Sequence, residues 1–240
     1  MRPAAIATAA FLAALAPAGV SGSCAEDAMI VFDGSGSMSE MGFNLLDEPR
    51  IAEARRAMHR AIPQVAPHRR IGLMVYGPGD QGACRNIDVV FPPRDDAGLD
   101  ILDTLDRLEP SGDTPLTASV FGAAEVLDYQ NQPGVVVLVT DGNENCGGAP
   151  CELASLLRTE GMALTVHVIG FKVRGGHFSW THSNGADFTR SEIVASCLAD
   201  LTGGVYVHTE TVDELVEALQ QTLGCPLFGQ ASRGRATRFN

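Results

Sequence analysis

The chain has 240 residues, enough for one domain of about 200 residues plus tails. With 45% hydrophobic and 19% charged residues, it reads as an ordinary globule that can bury a sizeable core. Its formal net charge of -12 argues against nucleic acid or an anionic membrane surface as partners.

Arg2 precedes the apolar stretch Ala4 to Ala16, and Pro17 and small residues follow to Ser23. This is the pattern of a secretory signal peptide over residues 1–23, cut after Ala18 or near Ser23. Thirteen apolar residues fall short of the ~20 needed to span a bilayer. Ser21 stands where a lipobox carries an aliphatic residue, which disfavours a lipid anchor on Cys24. The expectation is a periplasmic or secreted protein without a membrane span.

Ala28-Met29-Ile30-Val31-Phe32 is an uninterrupted apolar run, as in a strand covered on both faces. It closes in Asp33-Gly34-Ser35-Gly36-Ser37. Alternate residues of an extended segment project to one side, so this turn can aim one carboxylate and two hydroxyls at a common point. Hard oxygens of low charge suit Mg²⁺ or Mn²⁺ better than zinc. A polar loop over 38–50 follows. Ile51, Ala54, Met58, Ile62 and Val65 then recur at helical spacing, with Arg55, Arg56, His59 and Arg60 on the surface.

Ile71 to Tyr76 and Ile87 to Phe91 read as strands. The Gly- and Pro-rich connection between them predicts a hairpin, hence one antiparallel edge strand that Pro92-Pro93 terminates. Leu99, Leu102, Leu105 and Leu108 mark a helix. Gly112-Asp113-Thr114-Pro115-Leu116 opens another, running to Tyr129 with Leu116, Val120, Ala124 and Leu127 inward. A second buried strand, Val135–Thr140, ends in Asp141-Gly142. A helix over Glu152–Arg158, a strand over Leu164–Gly170, a helix over Ser191–Leu201, a strand over Val205–His208 and a helix over Val212–Leu223 complete the domain. Residues 171–190 show no clear pattern and read as a binding or mobile loop. Within it His177, Phe178 and Trp180 are candidate ligand contacts, Trp180 being equally suited to anchoring the loop. Residues 224–240 read as a disordered tail.

Alternating strands and helices give an α/β fold, a doubly wound, mostly parallel sheet with one antiparallel edge strand. Such sheets bind ligands beyond the carboxyl ends of their strands, where Asp33 and Asp141 both stand.

Asp-x-Ser-x-Ser at 33–37, then Thr114, then Asp141, in that order, resembles the metal-ion-dependent adhesion site of the von Willebrand factor type A domain. The resemblance covers about residues 26–223. Met38, Tyr76-Gly77, Asn143-Glu144-Asn145-Cys146 and Gly203-Gly204-Val205-Tyr206 resemble a bacterial exported group of that family. The resemblance implies that Ser35 and Ser37 ligate the ion directly, and that Thr114, Asp33 and Asp141 act directly or through water. An acidic residue of a protein partner would complete the coordination. Two carboxylates depart from the common pattern. Asp113 can donate to the ion or cap the following helix, the cap being the expectation. Glu144 raises the same question; if either bound the metal, Ca²⁺ would gain over Mg²⁺.

Six cysteines in an exported chain imply disulfides. Cys146 and Cys151 flank a short turn, so a local bridge is easy. In the fold of the resemblance the chain ends lie close, which suggests Cys24 with Cys225; subtraction leaves Cys84 with Cys197. The leading expectation is a metal-dependent protein-binding module. A structural subunit of an envelope complex is the alternative. A metal-assisted hydrolase is disfavoured, because Ser35 stands where an aspartate-nucleophile phosphatase has its second Asp and no lysine sits in a phosphate-binding Gly-rich loop.

Overall fold

A computed structural model describes residues 24, 26–42, 46–80, 82–142, 144–173, 179–181 and 187–225, with backbone alone for 179–181 and 187–194. The regions expected to be the signal peptide (1–23) and most of the tail (226–240) lie outside the described residues, as do His177 and Phe178.

Six strands form one sheet: β1 (Asp27–Asp33), β2 (Ile71–Tyr76), β3 (Ile87–Arg94), β4 (Pro133–Thr140), β5 (Ala163–Phe171) and, after a small hairpin, β8 (Tyr206–Thr209). Their order is β3-β2-β1-β4-β5-β8. All neighbours are parallel except β2 and β3. The helices are α1 (Arg50–Val65), α2 (Gly98–Arg107), α3 (Leu116–Val126), α4 (Pro150–Glu160), α5 (Arg190–Thr202) and α6 (Val212–Leu223).

Both faces of the sheet are covered, as the unbroken apolar strands require. Ile30, Phe32, Leu73, Val137 and Ile169 pack with α1, α2 and α6. Met29, Val31, Met74, Val136 and Val166 pack with α3, α4 and α5. The chain leaves β1 toward β2 and leaves β4 toward β5, so connections diverge between these two central strands. The crevice at their carboxyl ends is where such folds place a ligand.

Four features differ from the sequence expectation. The strand β3 does not stop at Pro92-Pro93 but runs to Arg94. It is an edge strand, where proline need not donate to a ladder, and the β2–β3 register shifts between Ile71 and Leu73. Gly72 permits this approach, since a Cβ there would fall 2.8 Å from the Pro93 nitrogen. On α2 the buried stripe is Ile101, Leu102 and Leu105, while Leu99 is 82% exposed. Helix α3 ends at Val126, short of Tyr129, and Asp128 takes a left-handed φ of 52° just beyond its end. The stretch 171–190 contains an antiparallel pair, β6 (Ser179–Thr181) and β7 (Asp187–Thr189), in which Trp180 is paired with Phe188.

The disulfides are Cys24–Cys225, Cys84–Cys146 and Cys151–Cys197. The pairings expected for Cys146 with Cys151 and for Cys84 with Cys197 are therefore corrected. Cys151 lies in the first turn of α4, which packs on α5 and its Cys197. Cys146 belongs to the loop after β4, which lies against the β2–β3 connection that carries Cys84.

Candidate functional site

The site is built from three loops at the carboxyl end of the sheet. Strand β1 ends in Asp33, which is fully buried. One of its oxygens, Oδ1, accepts the Ser35 N–H at 2.8 Å, the local turn expected of an aspartate at a strand end. The other, Oδ2, accepts the Thr140 hydroxyl at 2.6 Å. Thr140 in turn accepts from the Tyr76 hydroxyl at 3.1 Å. The three central strands thus fix the Asp33 carboxylate together. Burial, and then the nearby Asp33 carboxylate, hold the Tyr76 phenol well above its ordinary range, so it stays a donor.

After Asp33 the chain makes a short 3-10 turn over Gly36–Ser39. The Ser35 and Ser37 hydroxyls lie 3.0 Å apart. The second loop rests on the first: Gly36 N–H donates to Gly112 O at 3.1 Å and Ser111 N–H to Gly34 O at 3.0 Å. Gly112 has φ +73°, and a Cβ there would fall 2.1 Å from Gly77 O, so no side chain fits. Two residues on, Thr114 is buried.

The third loop brings Asp141, whose Oδ1 accepts the Ser37 hydroxyl at 2.7 Å. Asn145 Oδ1 accepts the Thr114 N–H at 2.7 Å, joining the second and third loops. Glu144 accepts the N–H groups of Thr117 at 2.7 Å and Cys146 at 2.8 Å. The helix α3 is therefore capped by Glu144 from another loop. Asp113, expected as the cap, instead accepts the Gly82 N–H. Neither extra carboxylate points its bonded oxygens at the five candidate ligands.

The structure thus brings Asp33, Ser35, Ser37, Thr114 and Asp141 together. A Cβ built on Gly142 would lie 3.3 Å from Ser37 Oγ, 3.8 Å from Thr114 Oγ1 and 4.0 Å from Asp33 Oδ2, so one point touches oxygens from separate loops. Adjacent vertices of an octahedron with 2.0–2.1 Å metal–oxygen bonds lie about 2.9 Å apart. The Ser35–Ser37 and Ser37–Asp141 oxygen separations of 3.0 and 2.7 Å match that edge. An oxygen-only donor set of this kind can accommodate a divalent cation.

One residue of the site carries no signal in the sequence reading. Arg50, the first residue of α1, donates through Nη1 to Asp141 Oδ2 at 2.6 Å. The partners are 91 residues apart in sequence, and no local pattern links them.

Asp141 has its pKa raised from 3.8 to about 6. Burial is the main cause and the Asp33 carboxylate the next; the bonds from Arg50 and Ser37 work against them. A carboxyl whose folded pKa lies above its unfolded value stabilises the fold fully below the unfolded pKa, and this contribution is lost as pH rises through the folded pKa. In chelator, wild-type stability is expected to fall as pH rises from 4 to 6, by about 2 kcal/mol from this group. Asp141→Asn should lack that slope. Urea unfolding of both proteins across this range, with metal removed, checks it.

Residues 28–144 match the family model described as von Willebrand factor type A domain. The chain is 25% identical over 203 residues to the uncharacterized protein YwmD of Bacillus subtilis (strain 168), covering 80% of this chain and 82% of YwmD. It is 27% identical over 157 residues to YwmC of the same organism, covering 62% of this chain and 67% of YwmC. Among solved structures, it resembles an aerotolerance-related membrane protein from Bacteroides fragilis with a TM-score of 0.60 at 19% identity, over 82% of this chain and 98% of that one. It also resembles proximal thread matrix protein 1 of the mussel byssus, solved with a zinc-occupied MIDAS motif, with a TM-score of 0.56 at 22% identity, over 84% of this chain and 46% of that one. The family model matches just under half of the chain, and the solved structures share its fold.

Proposed function

We propose that this protein is a binding module of the cell envelope or exterior that captures a protein partner through a divalent ion. Asp33, Ser35, Ser37, Thr114 and Asp141 would hold the ion, Mg²⁺ in the first instance, with Mn²⁺ or Ca²⁺ as competitors. The observation that carries this reading is the convergence of these five oxygen-bearing side chains from three separate loops. When bound, the ion would supply an open coordination position for an acidic residue of the partner.

The protein's own residues set the character of that site. Glu144 and Asp113 spend their carboxylates on backbone N–H groups. That leaves two carboxylates and three hydroxyls in the candidate donor set. A low-charge set favours the smaller ion over Ca²⁺ and keeps the site attractive to an anion. The zinc-occupied motif of the mussel protein supports divalent binding by this fold. Three disulfides suit an oxidising compartment, and among the described residues no helix is long and apolar enough to cross a membrane.

Three histidines are engaged elsewhere in the fold. His59 pairs with Asp106, His208 with Glu210, and His167 accepts the Val205 N–H. None of these three bonds involves the five donors.

The test is thermal unfolding of the oxidised protein lacking residues 1–23 in Mg²⁺, Mn²⁺, Ca²⁺ or chelator. A rise in melting temperature is expected, largest with Mg²⁺ or Mn²⁺. No shift with any ion would defeat the metal reading. Partner capture that persists in chelator would favour the structural-subunit alternative.

A further inference from the structure

We propose that Arg50 is a positioning residue of the metal site, which tunes the bound ion toward an anionic partner at the expense of metal affinity. The inference rests on the metal reading above and deepens it. Arg50 is only 4% exposed, and a buried guanidinium is costly unless its charge is matched. Its buried counter-ion is Asp141, at 2.6 Å. Nη1 also donates to Ser37 O at 3.2 Å. The remaining ion pair, Nη2 to Glu40 at 3.3 Å, is to a side chain that is 66% exposed and so is screened by water. The Nε atom is buried without a partner. The guanidinium therefore serves the first and third metal loops rather than satisfying itself.

Two consequences follow. Because Oδ2 of Asp141 is held by Arg50, the carboxylate presents Oδ1, on the Ser37 side, to the ion. The charge of the site is also altered. Asp33 and Asp141 carry two negative charges and Arg50 one positive, leaving a net single negative charge. A divalent ion then leaves the loaded site net positive. Without Arg50 the loaded site would be neutral. The same cation that repels the metal thus favours the carboxylate that follows it, and its removal shifts the two affinities in opposite directions.

Calorimetric titration with Mn²⁺, in chloride and in acetate at matched ionic strength, tests this on wild type, Arg50→Gln and Arg50→Lys. Acetate stands in for the partner carboxylate. By linkage, an anion that binds the loaded site raises apparent Mn²⁺ affinity. For wild type, acetate should tighten Mn²⁺ binding. Arg50→Gln should bind Mn²⁺ at least about threefold more tightly in chloride and lose the acetate effect. Arg50→Lys, which keeps the charge, should restore that effect. A folded Arg50→Gln with wild-type Mn²⁺ affinity, or with the acetate effect intact, would overturn the proposal. So would loss of Mn²⁺ binding in both variants, which would make Arg50 a structural pin of the loops. Should Arg50→Gln fail to fold, Arg50→Lys decides: a retained acetate effect supports the proposal, and its loss with Mn²⁺ still bound overturns it. Wild type that binds no Mn²⁺ defeats the metal reading itself, and the inference falls with it.

Discussion

Asp33→Ala is expected to melt at the same temperature in Mg²⁺ and in chelator, while wild type gains stability from the ion. A ligand at about 100 times its Kd stabilises the native state by roughly 2.7 kcal/mol, and the variant should lose all of it. Asp33 is the carboxylate most firmly fixed in the site: it is fully buried and bonded to both Ser35 N–H and the Thr140 hydroxyl. Alanine leaves these two donors without their acceptor, a cost of about 1–3 kcal/mol for each group left unsatisfied. It also removes a like charge beside Asp141, which works in the opposite direction. The metal-free stability of the variant is therefore a poor readout, and the difference between metal and chelator is the useful one. An equal metal response in both proteins would place the ion elsewhere.

The second large effect is expected at Cys24–Cys225. This bridge joins residues 201 apart in sequence, at the entry to β1 and the exit from α6. In the chain-entropy view a loop of that length is worth about 5 kcal/mol, and removal of native bridges typically costs 2–5. Replacing both cysteines with serine should lower the unfolding free energy from urea titration by an amount in that range without changing the fold. Unchanged stability would show that the ends are held by packing alone. Peptide mapping of the oxidised protein should recover Cys84 linked to Cys146 and Cys151 linked to Cys197. A peptide linking Cys146 to Cys151 would contradict the structure.

The local features of this fold are written in local chemistry. Apolar runs at 28–32 and 135–139 mark strands buried on both faces, because only a covered sheet tolerates side chains that are apolar in both directions. The Gly-rich turn after Asp33 and the Thr-Pro pair at 114–115 mark where loops meet strand and helix ends. Ile51 to Val65 shows the periodicity of an amphipathic helix. Asp33, Ser35, Ser37, Thr114 and Asp141 form one candidate set through the family resemblance, because their order along the chain is part of that family's pattern.

What eluded the sequence were contacts between elements. Pro92-Pro93 looks like a strand terminator, yet at an edge the missing N–H breaks no ladder. Leu99 has the right spacing for the α2 stripe, but the helix turns Ile101 and Leu105 inward. Cys146 and Cys151 are neighbours along the chain, yet one faces the β2–β3 connection and the other faces α5. The Glu144 cap and the Arg50–Asp141 pair arise in the same way, from residues far apart in the chain. The sequence by itself determined most strands and helices, because each depends on residues within a few positions of one another; the five candidate ligands, spread over three distant segments, came from the order of motifs that resembles a known family. Only the tertiary structure decided which cysteines pair, which carboxylates are spent on backbone N–H groups and which cation faces Asp141, because these depend on how the loops pack at the end of the sheet.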